Sequence, residues 1–112
     1  MKRGEVYDAR LSPTEGSEQA GIRPVIIVSR DAINIHSPVI VIVPLTNRVH
    51  VTRDYPNNVV VPKGEGGLIV DSVALGGQVR AISKTRLRQL RGTLSSQTMQ
   101  AIDRALKITL DL

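Results

Sequence analysis

The 112-residue chain contains no cysteine, no tryptophan, no phenylalanine and only two tyrosines. Without cysteine there can be neither disulfide stapling nor a thiolate metal site. Two histidines, His36 and His50, are far apart and form no ligand pair of the His-x-x-x-His kind, so a metal site is not expected. Tyr7 and Tyr55 are the only aromatic rings, too few for the stacking platform on which RRM or OB domains bind bases. Any nucleic acid held here must be held by phosphate contacts and hydrogen bonds. Long apolar runs are missing too. Val25 to Val28 and Val39 to Val43 fall far short of the roughly 20 residues of a membrane helix, so no membrane association is expected. The opening Met1-Lys2-Arg3-Gly4-Glu5 leads into an alternating stretch, unlike a signal peptide, which implies a cytoplasmic protein.

What is present is charge of one sign and branched aliphatics. Lys and Arg outnumber Asp and Glu by 15 to 10, giving +5, as suits a polyanionic partner such as RNA or DNA. The length allows one domain, residues 1–112, with one modest core. β-Branched residues crowd the first two thirds of the chain and point to a sheet.

From Glu5 to Leu11 apolar and polar residues alternate, as in a half-buried strand. Pro24 to Ser29 and Val39 to Leu45 are continuous apolar runs, which read as strands covered on both faces. Arg30 to Pro38 reads as an irregular connection. Asn57 to Val61 and Leu68 to Leu75 are strand candidates joined by a glycine-rich hairpin, and a last strand runs from Gln78 to Ile82. Ser83 then suits the N-cap of a short helix through Leu90, with Gly92 where a helix stops. Ser95 or Ser96 caps a final helix whose stripe Met99, Ile102, Ala105, Leu106 and Leu110 faces a core. The pattern predicts a mainly β fold, a small, strongly curved antiparallel sheet or barrel closed by a C-terminal helix.

The densest chemistry lies in Gly16-Ser17-Glu18-Gln19-Ala20-Gly21-Ile22-Arg23-Pro24, which sets a carboxylate, a hydroxyl and a guanidinium on a loop before a buried strand. Pro24 fixes its own φ and pushes Arg23 toward extended geometry, which suits a positioned cation. This string, the Lys2-Arg3-Gly4-Glu5-Val6-Tyr7 opening, Pro44-Leu45-Thr46, Asp71-Ser72, Gln78-Val79-Arg80 and Arg86-Leu87 together resemble the MazF/PemK toxin family. The resemblance spans nearly the whole chain. It implies an SH3-like barrel, a homodimer, and sequence-specific, metal-free cleavage of single-stranded RNA. It also implies inhibition of translation and neutralisation by a cognate antitoxin whose acidic C-terminal tail occupies the RNA groove.

Cleavage through the substrate's own 2′-hydroxyl needs a group to accept that proton, a group to protonate the departing 5′-oxygen, and positive charge or donors for the phosphorane. The resemblance carries Arg23 and Thr46 over as the catalytic pair. A guanidinium is costly to neutralise, so Arg23 suits charge stabilisation, and it is also a candidate donor to the leaving oxygen. Thr46 is a hydrogen-bond donor to a phosphoryl oxygen. Glu18 is either the acceptor of the 2′-OH proton or a carboxylate that orients Arg23. Some relatives carry a histidine directly before the Arg-Pro pair, where this chain has Ile22. Ser17, Gln19 and Gln78 offer neutral groups for reading base edges. Asp71 and Ser72 are expected to hold the fold near the site. Arg80, with Lys84, Arg86, Arg88 and Arg91, forms either a solvated helix face or a phosphate track. His36 and His50 read as surface loop residues. No cofactor is expected. Two rival readings keep the sequence features: a gyrase-poisoning toxin on the same fold, and a basic RNA-binding module without turnover.

Overall fold

A computed structural model describes residues 1–12, 15, 16, 18 and 21–112. The strands are β1 (Glu5–Arg10), β2 (Ile22–Ile27), β3 (Val39–Asn47), β4 (Asn58–Val61), β5 (Ser72–Leu75), β6 (Arg80–Ser83) and β7 (Leu87–Thr93). Two helices accompany them, α1 (Asp31–His36) and α2 (Ser96–Leu110). All pairings are antiparallel, in the order β4-β5-β3-β2-β1-β7, with β6 also on β3. The sheet bends strongly without closing on itself, and α2 packs against one side.

β3 organises the molecule because it is long enough to serve three partners. Residues 42–44 pair with β2, residues 39–42 with β6 and residues 45–47 with β5. The continuous apolar runs of β2 and β3 are indeed covered on both faces. Ile26, Val43 and Leu45 join Val6, Val61, Leu68, Leu94, Met99 and Ile102 in one core cluster. Val25, Ile27, Ile40 and Ile42 point the other way and pack with Ala9, Leu11 and Ile82 in a second. A period of two along each strand deals alternate side chains to the two cores.

Helix α2 starts where expected, with the Ser95 hydroxyl accepting from the Thr98 N–H at 3.2 Å. Met99, Ile102 and Ala105 are buried and Leu106 is partly so, but Leu110 is 54% exposed, so the apolar stripe meets the core only over its first three turns. The Glu65 carboxylate accepts from the Ser95 N–H at 2.9 Å and from its hydroxyl at 2.8 Å. Burial pushes this carboxyl up, but the hydrogen bonds from Thr98 and Ser95 outweigh it and hold it below its ordinary value. A lowered folded-state value stabilises the fold above the unfolded value and is lost as pH falls through the folded one. Thermal melts across a pH series should therefore show stability dropping below pH 4.5, with Glu65→Gln lower at neutral pH and flatter through that window.

Three local expectations are corrected. Arg30 to Pro38 contains a helix, α1, because Asn34 is buried and turns inward: its Nδ2 donates to the Ser29 carbonyl at 2.8 Å and its Oδ1 accepts from the Ser29 hydroxyl. Ser83 does act as a cap, accepting from the Thr85 N–H, but of a single 3-10 turn, Lys84–Arg86. The chain from Leu87 then runs as β7, not as a helix, and supplies the missing partner for the outer edge of β1. Leu68 to Val70 leaves the sheet, and β5 begins only at Ser72, since the turn Glu65–Gly67 needs the positive φ of Gly64, Gly66 and Gly67.

Candidate active site

β2 and β3 present the central pair. Continuing their register two residues past the last paired position, Val25↔Pro44, brings Arg23 level with Thr46. Opposed residues of an antiparallel pair project to the same face. Arg23 and Thr46 extend the rows whose inner members, Val25, Ile27, Ile40 and Ile42, fill the second core cluster, so both are held by fully buried neighbours. They line one cleft of about 200 Å³, together with Asn47, Ser72 and Arg91. Thr46 is only 5% exposed, and Arg23 is half-buried.

Two further clefts share walls with this one. Thr46 also borders a cleft of about 500 Å³ that includes His50, Arg53, Tyr55, Asn58 and Gln78. Gln78 in turn borders a third, of about 290 Å³, with Glu18 and Arg80. Thr46 is common to the first two clefts and Gln78 to the second and third, so Arg23, Thr46, Gln78, Arg80 and Glu18 line a run of adjoining clefts, called the groove below. Glu18 is exposed, and its Oε1 accepts from the Glu15 N–H at 2.8 Å. It sits on the Gln78 and Arg80 side and does not line the Arg23 cleft. Ser17 and Gln19 lie outside the described residues.

The surrounding polar groups fix this groove. The Asp71 carbonyl accepts from the Arg48 N–H at 2.9 Å and its carboxylate from the Lys63 N–H at 2.8 Å, while buried Ser72 donates to the Val70 carbonyl. Both residues thus hold the backbone around Thr46. The basic cluster divides. The Arg86 guanidinium donates to the Arg10 and Ser12 carbonyls at 3.1 and 2.9 Å, and bonds from Gly21 N–H to the Ser12 hydroxyl and from Leu11 N–H to the Gly21 carbonyl close the base of the β1–β2 connection. Lys84 and Arg88 donate to the Ile35 and Thr85 carbonyls. Only Arg80 and Arg91 of this cluster border the groove, and neither lies on a helix. Arg91 is paired with Asp8 at 3.3 Å.

His50, expected at the surface, and Tyr55 line a cleft to which the sequence did not assign them. Both are exposed but face the Thr46 cleft. The only signal was their closeness to Thr46 in sequence; the turn that folds them back is not visible in residue types. His36, at the end of α1, is exposed as expected and borders none of these clefts. Among the described residues no three His, Cys, Asp or Glu side chains gather where they could hold a metal, and no helix is long and apolar enough to cross a membrane.

Known proteins share this architecture. Residues 2–110 match the PemK-like, MazF-like toxin family of type II toxin-antitoxin systems. Endoribonuclease MazF of Staphylococcus saprophyticus is 40% identical over 112 residues, covering all of this chain and 92% of that protein. A mycobacterial endoribonuclease solved in complex with its cognate antitoxin superposes with a TM-score of 0.82 at 27% identity, covering all of this chain and 96% of that one. MazF from Deinococcus radiodurans shares the fold with a TM-score of 0.84 at 23% identity, over all of this chain and 97% of that one. With a family match along almost its entire length and that degree of identity, the chain belongs to the PemK-like, MazF-like toxins of type II toxin-antitoxin systems.

Proposed function

We propose that this MazF-type endoribonuclease cuts single-stranded RNA at a defined sequence, without a metal ion, by attack of the substrate's own 2′-hydroxyl. The products are a 2′,3′-cyclic phosphate and a 5′-hydroxyl. The observation that carries this reading is the shared cleft of Arg23 and Thr46, a guanidinium and a hydroxyl on one face of two paired strands. The scissile phosphate sits there. Arg23 matches the negative charge that grows on the phosphorane, and Thr46 donates to a non-bridging oxygen; each such donor typically supplies about 2 to 4 kcal/mol at the transition state. Because the nucleophile is already part of the substrate, no metal hydroxide is called for. Gln78 and Arg80, further along the groove, take a base edge and a phosphate of the neighbouring nucleotides.

The same groove serves regulation. A basic, partly apolar channel suited to RNA also suits the acidic tail of a cognate antitoxin, which folds as it binds. The chain works as one domain, in the cytoplasm and as a twofold dimer, and cutting cellular RNA halts translation. The test is to incubate the purified protein with a long RNA in excess chelator and to map the ends. Discrete cuts bearing cyclic phosphate and 5′-hydroxyl are expected. Binding without cuts would leave a non-catalytic RNA-binding module, and damage to DNA in a gyrase assay would leave the gyrase poison.

A further inference from the structure

Neither Arg23 nor Thr46 is a good acceptor for the 2′-hydroxyl proton: a guanidinium offers donors and no acceptor, and a hydroxyl is a weakly basic neutral alcohol. Glu18 lines the cleft that Gln78 and Arg80 border and not that of Thr46 and His50. Among the described residues that line the cleft of about 500 Å³ beside Thr46, His50 carries the one imidazole, a side chain whose chemistry suits proton transfer. Its position is built. β3 ends at Asn47, whose side-chain oxygen accepts from the Val49 N–H at 3.1 Å and caps the turn Arg48–His50. The Arg48 N–H is tied to the Asp71 carbonyl at 2.9 Å, and the Val51 N–H closes the turn on the Arg48 carbonyl at 3.0 Å. This tight reversal brings the residue four places after Thr46 back over the cleft that Thr46 borders.

We propose that His50 is the general base of RNA cleavage, a catalytic residue acting on the substrate from the second of the two clefts that Thr46 borders. The inference rests on the 2′-hydroxyl reading given above. In the step, the imidazole takes the proton from the 2′-oxygen as that oxygen forms its bond to phosphorus. The bond from phosphorus to the 5′-oxygen breaks, and the 5′-oxygen takes a proton from solvent water. The hydroxide left behind neutralises the imidazolium. The charged and titratable groups around the imidazole are Arg53 and Tyr55 across the cleft, Arg48 on its own turn, and Asp54 in the adjoining cleft.

The test is single-turnover cleavage of an RNA oligonucleotide containing a mapped site, from about pH 5 to about pH 9, for the wild type, His50→Gln and His50→Ala. The wild-type rate should climb about tenfold per pH unit through the imidazole range and then level off. His50→Gln should be about a hundredfold slower on the plateau and should lack that limb, with unchanged melting temperature. Added imidazole should partly restore His50→Ala. A substrate with sulfur in place of the bridging 5′-oxygen leaves without protonation, so the defect should persist on it. Three results would overturn the assignment: a variant within about threefold of wild type, a slow variant with the wild-type pH limb, or a defect that vanishes with the sulfur leaving group. If instead the wild type leaves 5′-phosphate ends, the 2′-hydroxyl reading itself fails, which is a separate outcome.

Discussion

Arg23→Ala should lower the cleavage rate by about a thousandfold or more while leaving the fold intact. The size follows from the role proposed for the guanidinium: it shares with Thr46 the cleft in which the phosphorane's negative charge would grow. Position matters as much as charge. Arg23 is carried by the strand directly before Pro24 and Val25, with Ala9 opposite it on β1, so it cannot drift as a surface arginine would. Arg23→Lys restores the charge but not the planar fork and should recover only part of the loss. The matched control is Arg104→Ala, an exposed arginine on α2 away from the groove, which should cleave like the wild type. Arg91→Ala is not a neutral comparison, because Arg91 borders the same cleft, and an intermediate loss is expected. Rates are read on a labelled oligonucleotide, with thermal melts reporting the fold. An Arg23→Ala enzyme within about tenfold of wild type would remove the charge-stabilising role.

How far the sequence foretold this site depends on the range of the interaction that sets each part. Pro24 and the buried runs of β2 and β3 act locally or through simple periodicity, so the strands and the stance of Arg23 were legible. Thr46 was singled out by family resemblance, and Gln78 by the hydrogen-bonding groups of its side chain. What the sequence left out was set by distant partners. Leu87 to Leu90 reads as helix because Leu, Arg and Gln favour it, yet the open edge of β1 pairs with this segment, Tyr7 against Leu90, and tertiary pairing overrides a weak propensity. Asn34 gives no sign in sequence that Ser29 will bury it. His50 looked like a loop residue because no pattern of residue types announces a capped turn pinned to Asp71 from 23 positions away.

Gly92 teaches the same lesson and leads to the largest expected loss of stability. Its place after a predicted helix suggested a stop signal, whereas it lies in β7 at a close crossing of two backbones. A Cβ on Gly92 would come within 2.7 Å of the Gly66 carbonyl carbon and 2.9 Å of the Gly67 nitrogen. The partner position is harsher. Gly67 has φ +72°, and a Cβ there would sit 2.1 Å from the Arg91 carbonyl oxygen. Gly67→Ala therefore combines left-handed strain, about 1 to 2 kcal/mol, with a backbone overlap that no rotamer change relieves, for a total above about 3 kcal/mol. Gly64→Ala separates the two terms, since Gly64 has φ +95° and nothing within 4 Å of a built Cβ, so only the strain applies. At roughly 4 °C per kcal/mol for a chain of this size, Gly67→Ala should melt at least about 12 °C below the wild type and Gly64→Ala about 4 to 8 °C below. Activity should follow the same order for a structural reason. Gly67 leads directly into Leu68, which is 3% exposed in the main core, and into Ile69 and Val70, which wall the Arg23 cleft. Pushing β7 away from this turn loosens the core and the cleft together. Equal melting temperatures for the two alanine variants would mean that β7 can retreat freely, and that the crossing at Gly67 is not what holds that wall in place.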